Sequence, residues 1–250
     1  MSLQKNNIFL GDCLEVMKEI DDHSIDMILC DLPYGITFCK WDAPIDLDKL
    51  WLEYKRIIKK GGSIILTATM PFGARLIMSN IKWFRHELIW EKDNGSNPLQ
   101  ANKMPIRVHE NILIFCEKGT IYNPQKIAGN PYNVFVRPRG FVNQRSGILR
   151  IPTINKGDRF PRSVLKFKRD YGKSIHTTQK PVALFEWLIK TYSNEGDLIL
   201  DNCGGSGTTA IAAINTKRDY ILIEKDECYY TKSKNRISTH QRQFDLGADE

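Results

Sequence analysis

Ile25 to Cys30, IDMILC, form a short apolar run that predicts a strand buried on both faces. A helical pattern follows in DLDKLWLEYKRIIKKGG. Leu47, Leu50, Trp51, Tyr54, Ile57 and Ile58 recur at helical spacing, Asp46 is placed to cap the start, and Gly61-Gly62 to stop it. SIILTA, from Ser63 to Ala68, is the next strand. Strand, helix and strand with short joints argue for a parallel sheet. HELIWEK, from His86, and ENILIFCEK, from Glu110, predict a further strand pair.

The regular pattern resumes near His176. In QKPVALFEWLIKTYS, Pro181 falls in a first helical turn and Leu184, Phe185, Leu188 and Ile189 share one stripe. DLILDNCGGSGTTAIAAI reads as strand, glycine-rich turn and helix, DYILIEKDE as a strand, and ECYYTKSKNRIS as the last helix. The polar residues after Ser238 predict a frayed, flexible tail. Between the two blocks, about Asn94 to Ser174, the chain is rich in Pro, Gly, Asn and Arg and holds no sustained period. That is too long for a plain loop in a compact domain. It predicts an insertion with short strands such as NVFVRPRGFV and RSVLKFK.

Charge sharpens this division. Residues 95–175 carry 15 Lys+Arg against 4 Asp+Glu, a net of +11, and the remainder carries 21 against 25, a net of −4. All of the excess positive charge in the +7 chain therefore lies in the central stretch, the electrostatic footprint of a nucleic-acid binder. On charge alone, a solvated basic surface explains it as well. The 250 residues suffice for one domain with a real core. No apolar run approaches the ~20 residues of a bilayer span. MSLQKNNIFLGD has no long apolar segment of the signal-peptide kind, so the chain reads as cytoplasmic. Six Cys without a C-x-x-C pair predict reduced, mostly buried thiols and no zinc or dithiol motif. His109 beside Glu110 lacks a second ligand at metal spacing and reads as a structural hydrogen bond, so no metal is expected.

Two short stretches carry candidate chemistry. In LILDNCGGSGTT, Asp201 ends a strand, and Gly204, Gly205 and Gly207 precede a helix. Glu224 ends the following strand, 23 residues after Asp201. Glycines let a ligand approach the backbone, the helix start offers free N–H groups, and the acid suits ribose hydroxyls. The stretch is neither G-x-G-x-x-G nor G-x-x-x-x-G-K-[ST], which disfavours NAD and ATP. The other stretch is Asp31-Leu32-Pro33-Tyr34, closing the first strand. Ligands of open α/β sheets bind at strand carboxyl ends. A carboxylate, free backbone carbonyls around a proline, and an aromatic face together suit an amino group on a planar heterocycle. Taken alone, four such residues more often make an ordinary strand-end turn.

In their order along the chain, D-L-P-Y, HTTQKP from His176 to Pro181, and LDNCGGSGTT resemble the β-class DNA amino-methyltransferases. GDCLEVMKEI at Gly11, WEK at Trp90, PIRVHENILIFCEK at Pro105 and RFPRSVLKF at Arg159 look like further blocks of that family, leaving about 119–157 and the tail uncovered. The resemblance implies a Rossmann-like α/β fold. Its sheet is mostly parallel, with helices on both faces, and the motif order is permuted. A single domain, 1–250, then divides into a catalytic half, 1–93, a basic insertion, 94–174, holding the target-recognition region, a cofactor half, 175–237, and a flexible tail, 238–250. It implies S-adenosylmethionine as cofactor, contacted by Asp12 and Cys13 at the adenine and by Asp31. Thr178, Gln179 and Lys180 would meet the methionyl end, with Lys180 at its carboxylate. Asp201, Cys203, Gly205, Ser206, Gly207 and Thr208 would line the amino-acid and ribose side, and Glu224 would hold the ribose hydroxyls. Asp31, Leu32, Pro33 and Tyr34 would form the base pocket.

Three departures stand out. Leu32 replaces the family's usual first Pro, Thr177 replaces the Pro of H-P-T-Q-K-P, and Asn202-Cys203 replace Pro-Phe in the glycine motif. The first is tolerable because the backbone carbonyl makes the bond; the last removes a ring near the cofactor. Cys203 could suggest cytosine C5 chemistry, but its place in the cofactor turn points to packing. The implied reaction is methyl transfer to the exocyclic amine of a flipped base in double-stranded DNA. The leading Asp favours adenine N6 over cytosine N4. Arg107, Arg137, Arg139, Arg145 and Arg150 are the candidate DNA contacts, since Arg suits guanine O6 and N7, though each individually is better explained as a phosphate or solvent contact. A homodimer and a cognate restriction endonuclease are the partners the resemblance leaves open. Amine methylation of RNA or protein, a non-catalytic nucleic-acid-binding domain, and a nucleotide-dependent oxidoreductase remain as competing functions.

Overall fold

A computed structural model describes residues 3–35, 42–134, 153–170 and 179–248. Thr178, Arg137, Arg139, Arg145, Arg150 and most of NVFVRPRGFV lie outside the described residues.

The strands and helices are β1 (Asn7–Leu10), α1 (Cys13–Val16), β2 (Ile25–Asp31), α2 (Leu47–Ile57), β3 (Ile58–Ala68), α3 (Phe72–Ser79), β4 (Phe84–Ser96), β5 (Arg107–Phe115), β6 (Ile127–Ala128), β7 (Tyr132–Val134), β8 (Thr153–Asn155), β9 (Asp158–Arg159), β10 (Val164–Lys166), α4 (Val182–Tyr192), β11 (Leu198–Asp201), α5 (Thr208–Asn215), β12 (Asp219–Glu224) and α6 (Glu227–Ala248). The main sheet has the order β1-β12-β11-β2-β3-β5-β4-β10. Its pairs are parallel except where β5 meets β3 and β4, so β5 alone runs against the rest. This is the mostly parallel Rossmann-like sheet that the motifs imply.

The order of the strands explains why distant motifs meet. From β2 the chain moves through α2 to β3 on one side; from β11 it moves through α5 to β12 on the other. β2 and β11 are neighbours, with Leu200 opposite Ile28. They flank the point where the winding reverses, and their carboxyl ends border the crevice where such sheets bind ligands. Asp31 and Asp201 end those two strands.

Apolar clusters cover both faces of the sheet. Ile28, Cys30, Leu50, Trp51, Tyr54, Phe72 and Phe115 belong to one; Met27, Leu29, Leu184, Phe185, Leu188 and Ala212 belong to the other. The alternation along β2 reflects the two-residue period of a strand. Asp46 caps α2, its Oδ1 accepting from the Asp48 and Lys49 N–H groups at 3.1 and 3.2 Å. The expected stop at Gly61-Gly62 is corrected: α2 ends at Ile57, and the glycines lie within β3. Ile58 is already extended because it pairs with Ile25 of β2. The short helix α3 was not expected from the periodicity.

Two compact units form, one from Met1–Asn123 with Ser163–Glu250, the other from Pro124–Arg162. The second unit is narrower than the compositional stretch 94–174, because β5 and β10 hydrogen-bond into the main sheet. Within this unit, β6 pairs with β9 and β7 with β8. The Arg159 guanidinium sits 4.6 Å from the centre of the Tyr132 ring, and Lys126 meets Asp158 at 3.1 Å. The frayed tail expected after Ser238 is also corrected: α6 continues to Ala248, with His240 Nε2 placed 2.6 Å from Asn215 Oδ1. No described helix is long and apolar enough to cross a membrane.

Candidate active site

Asp31 ends β2 beside Thr67 of β3, its register partner. The Thr67 hydroxyl donates to Asp31 Oδ1, and the Tyr34 hydroxyl donates to the same oxygen at 2.7 Å. Tyr34 returns toward the strand because Pro33 fixes the turn between them. Its ring packs on Phe72, centroids 5.3 Å apart at 31°. Burial, and then the Asp31 charge, drive the Tyr34 phenol well above its ordinary pKa, so it stays protonated and donating. Leu32 is 3% exposed and belongs to the core, and it also borders the cavity described below.

The second oxygen of Asp31 receives Lys180 Nζ at 2.5 Å. Lys180 Nζ also stands 3.3 Å from Glu110 Oε2, while Glu110 Oε1 takes Lys92 Nζ at 2.7 Å. Lys92, Glu110, Lys180 and Asp31 thus form a chain of alternating charge, and both lysine side chains are only 5% exposed. Burial opposes the Lys180 ammonium, but the Asp31 and Glu110 carboxylates outweigh it and hold its pKa above the usual lysine value. Burial likewise opposes the Glu110 charge; Lys180 and Lys92 outweigh it and hold the carboxyl below its ordinary range. A buried charge so paired is tolerated, whereas either partner alone would be strongly unfavourable.

The glycine turn leads from β11 into α5. Gly205 and Gly207 have φ of +50° and +75°, left-handed backbone that favours glycine. Asp201 braces the turn: Oδ1 accepts from the Cys203 N–H at 3.0 Å and Oδ2 from the Thr209 hydroxyl at 2.5 Å. Burial raises its pKa to about 6, against the pull of those two donors. Glu224 Oε2 accepts from the Gly205 N–H at 2.7 Å, and Oε1 from the Asp226 N–H at 2.8 Å. Each oxygen retains acceptor capacity for a ligand hydroxyl. Burial raises the Glu224 pKa. Ser206 and Thr208 meet through their hydroxyls at 3.1 Å, and Arg236 Nη1 donates to the Ser206 carbonyl at 2.8 Å.

Asp31, Lys180, Glu110, Lys92, Asp201 and Glu224 border one cavity of about 660 Å³, the scale of a small-molecule site. Of the residues expected from sequence, Asp12, Cys13, Asp31, Leu32, Pro33, Tyr34, Gln179 and Lys180 line it, as do Arg107, Asp201, Cys203, Gly205, Ser206, Thr208 and Glu224. Gly207 shapes the turn from behind and is not in the lining. Asp12 caps α1 through the Leu14 N–H at 3.0 Å, and its partner Lys225, at 2.9 Å, holds its carboxyl below the usual range. The cavity offers what an adenosine-bearing sulfonium needs: an acid for the ribose, a glycine cradle, and carboxylates around a cationic centre. Cys13, Cys30 and Cys203 cluster beneath the turn. Burial pushes the Cys30 thiol up to about 12, and the Cys13 thiol is raised by its hydrogen bond with Cys203 and then by burial. Such thiols are poor nucleophiles, which agrees with a packing role. No group of three or more metal-type ligands occurs among the described residues.

Thr67, Glu110 and Lys92 were missed as site residues. Thr67 is 36 positions from Asp31 and reaches it only through sheet register. Glu110 lies inside β5 where its exposed half gives way to its buried apolar half, and an acid set directly before that apolar run is the signal the sequence offers.

The comparisons with known proteins agree with this architecture. M.HinfI of Haemophilus influenzae, a type II methyltransferase, is 29% identical over 258 residues, 93% of this chain and 68% of that protein. The solved complex of M1.HpyAVI with SAM superposes with a TM-score of 0.65 at 21% identity, covering 92% of this chain and 98% of that one. The PvuII cytosine-N4-specific DNA methyltransferase superposes with a TM-score of 0.64 at 15% identity, covering 97% and 93%. Both structural likenesses are likenesses of fold. The N6/N4 family model, described as DNA methylase, matches residues 25–235 and so takes in D-L-P-Y, the buried charge chain, the glycine turn and Glu224. The chain therefore belongs to the N6/N4 DNA methylase family.

Proposed function

We propose that the protein transfers a methyl group from S-adenosylmethionine to the exocyclic amine of a base flipped out of double-stranded DNA, and that the base is adenine, modified at N6. The observation that carries this reading is the Asp31 carboxylate, held by Tyr34 and Thr67 at the rim of the crevice that also contains the glycine turn and Glu224. The leading Asp of D-L-P-Y supports adenine over cytosine. M.HinfI is named a type II methyltransferase, and by that likeness we read this chain as the methylating arm of a restriction-modification system.

S-adenosylmethionine supplies an electrophilic methyl on a sulfonium. The protein's part is positioning and electrostatics, with no covalent enzyme intermediate. With the cofactor bound, Glu224 would hold its ribose hydroxyls, the Gly205–Thr208 turn would admit its amino-acid side, and Lys180 and Gln179 would face its methionyl end. The amine of a nucleobase is a weak nucleophile because its lone pair is delocalised into the ring. Asp31 and a backbone carbonyl of the Leu32-Pro33 turn accept its two N–H bonds, which favours a pyramidal nitrogen with its lone pair in line with the methyl. As the new N–C bond forms and the sulfonium bond breaks, the nitrogen becomes cationic. Asp31 is the carboxylate placed to receive the proton it then loses. Flipping the base costs a few kcal/mol. Stacking on Tyr34 recovers on the order of 1–3 kcal/mol.

The test is nucleoside mass spectrometry of unmethylated plasmid DNA incubated with the enzyme and S-adenosylmethionine. N6-methyladenine is the expected product. N4-methylcytosine would overturn the choice of base, and no methylated nucleoside would overturn the choice of substrate.

A further inference from the structure

The carboxylate assigned to the base is crowded in this structure. Asp31 Oδ1 accepts from Tyr34 and Thr67, and Asp31 Oδ2 from Lys180. Oδ2 keeps one lone pair for a base amine. While the Lys180 ammonium is held against it, however, the carboxylate is a neutralised, weaker acceptor for that amine and for the positive charge that develops on it, and moving one donor away strengthens it. Thr67 is fixed in β3, and Tyr34 is held by the Pro33 turn and the Phe72 ring. Lys180 carries its ammonium on a flexible four-carbon stem. A second carboxylate already waits for it. Glu110 Oε2 is 3.3 Å from Lys180 Nζ, yet it is buried and receives no hydrogen bond in proper geometry among the described residues. Glu110 Oε1 is held by Lys92 at 2.7 Å, so the carboxylate is oriented with its open oxygen toward Lys180. A buried acceptor left unsatisfied is unfavourable for folding alone.

We infer that Glu110 is a positioning residue that draws Lys180 off Asp31 when the base enters, making Oδ2 a stronger acceptor for the amine. Lys180 is a latch between two carboxylates: on Asp31 it neutralises the empty site, and on Glu110 it leaves Asp31 the stronger acceptor. Lys92 fixes the orientation of Glu110 and balances its charge once Lys180 has returned to Asp31. The inference rests on the role proposed for Asp31.

The experiment is a double-mutant cycle on the full chain with Glu110→Gln and Lys180→Met, reading kcat on unmethylated plasmid DNA at saturating S-adenosylmethionine and cofactor Kd by calorimetry. Without the second carboxylate, Lys180 stays on Asp31. Glu110→Gln should lower kcat by about tenfold or more while cofactor Kd moves less than about threefold. Glu110→Gln should add nothing in the Lys180→Met background, because the residue acts through Lys180. Lys92→Met/Glu110→Gln removes one charge of each sign from the buried chain. It must show the same kcat loss, which keeps the test open if Glu110→Gln alone folds poorly. Full kcat in Glu110→Gln, a loss confined to cofactor affinity, or independent effects in the cycle would each overturn the inference. Failure of the Asp31 assignment itself looks different: Asp31→Asn would then remain active.

Discussion

Thr67→Val isolates one strut of the catalytic carboxylate. Thr67 is 0% exposed, and its hydroxyl donates to Asp31 Oδ1. Valine preserves the branched shape but removes the donor. A hydrogen bond to an ionised group contributes about 1.5–3 kcal/mol. Asp31 keeps Tyr34 at 2.7 Å and Lys180 at 2.5 Å, so it remains in place but loses a restraint on its rotation. If that contribution were fully expressed in the transition state, kcat would fall by about 10- to 100-fold. Thr67 does not line the cavity, so cofactor Kd should not change. Because both hydroxyls serve one oxygen, the combined loss in Thr67→Val/Tyr34→Phe should differ from the sum of the single losses. The assay is transfer of tritiated methyl groups to duplex DNA, beside calorimetry with S-adenosylmethionine. Unchanged kcat in a variant that has lost the hydroxyl would refute the claim that Thr67 holds the working geometry of Asp31.

Glu224→Gln should weaken S-adenosylmethionine binding by about tenfold, the loss of one charge-assisted hydrogen bond, with kcat at saturation little changed; calorimetry and saturation kinetics check it. Asp201 gives a pH prediction. Its pKa is raised from 3.8 to about 6 in the folded protein, so its stabilising contribution is complete below 3.8 and is lost as pH rises through about 6. The change is on the order of 3 kcal/mol, and Asp201→Asn should flatten the dependence of urea unfolding on pH across that window. Gly207→Ala forces a side chain onto a φ of +75° with Ile237 3.1 Å from the new Cβ, and should lower thermal stability by about 1–3 kcal/mol, read by thermal denaturation.

The parts of the site legible in the sequence were those built from local chemistry. Asp31-Leu32-Pro33-Tyr34 shows itself because a strand, an acid, a fixed turn and a ring follow one another directly. The glycine turn shows itself because left-handed backbone at Gly205 and Gly207 favours glycine, and three glycines cluster within four positions between a strand and a helix. The cap at Asp46 was readable for the same reason. What escaped depends on pairing between segments. Ile58 looks helical by spacing, but its partner Ile25 takes it into the sheet. Thr67 is an ordinary polar position in an apolar run until register sets it against Asp31. Glu110 and Lys92 become one unit only because β4 and β5 are antiparallel neighbours, and Lys180 joins them from a segment 70 residues beyond Glu110. Polar exposed residues after Ser238 suggested fraying, yet helical hydrogen bonding extends α6 to Ala248.

The central claim is that the Asp31 carboxylate accepts the amine of the target base while the cofactor is held elsewhere in the crevice. Asp31→Asn changes the accepting carboxylate with almost no change in size. Single-turnover methyl transfer to duplex DNA, measured beside calorimetric S-adenosylmethionine binding on the same preparation, tests that separation directly. The account predicts a fall in transfer of about a thousandfold or more with cofactor Kd within about threefold of the parent. Transfer at the parental rate, or a loss explained entirely by weakened cofactor binding, would contradict it.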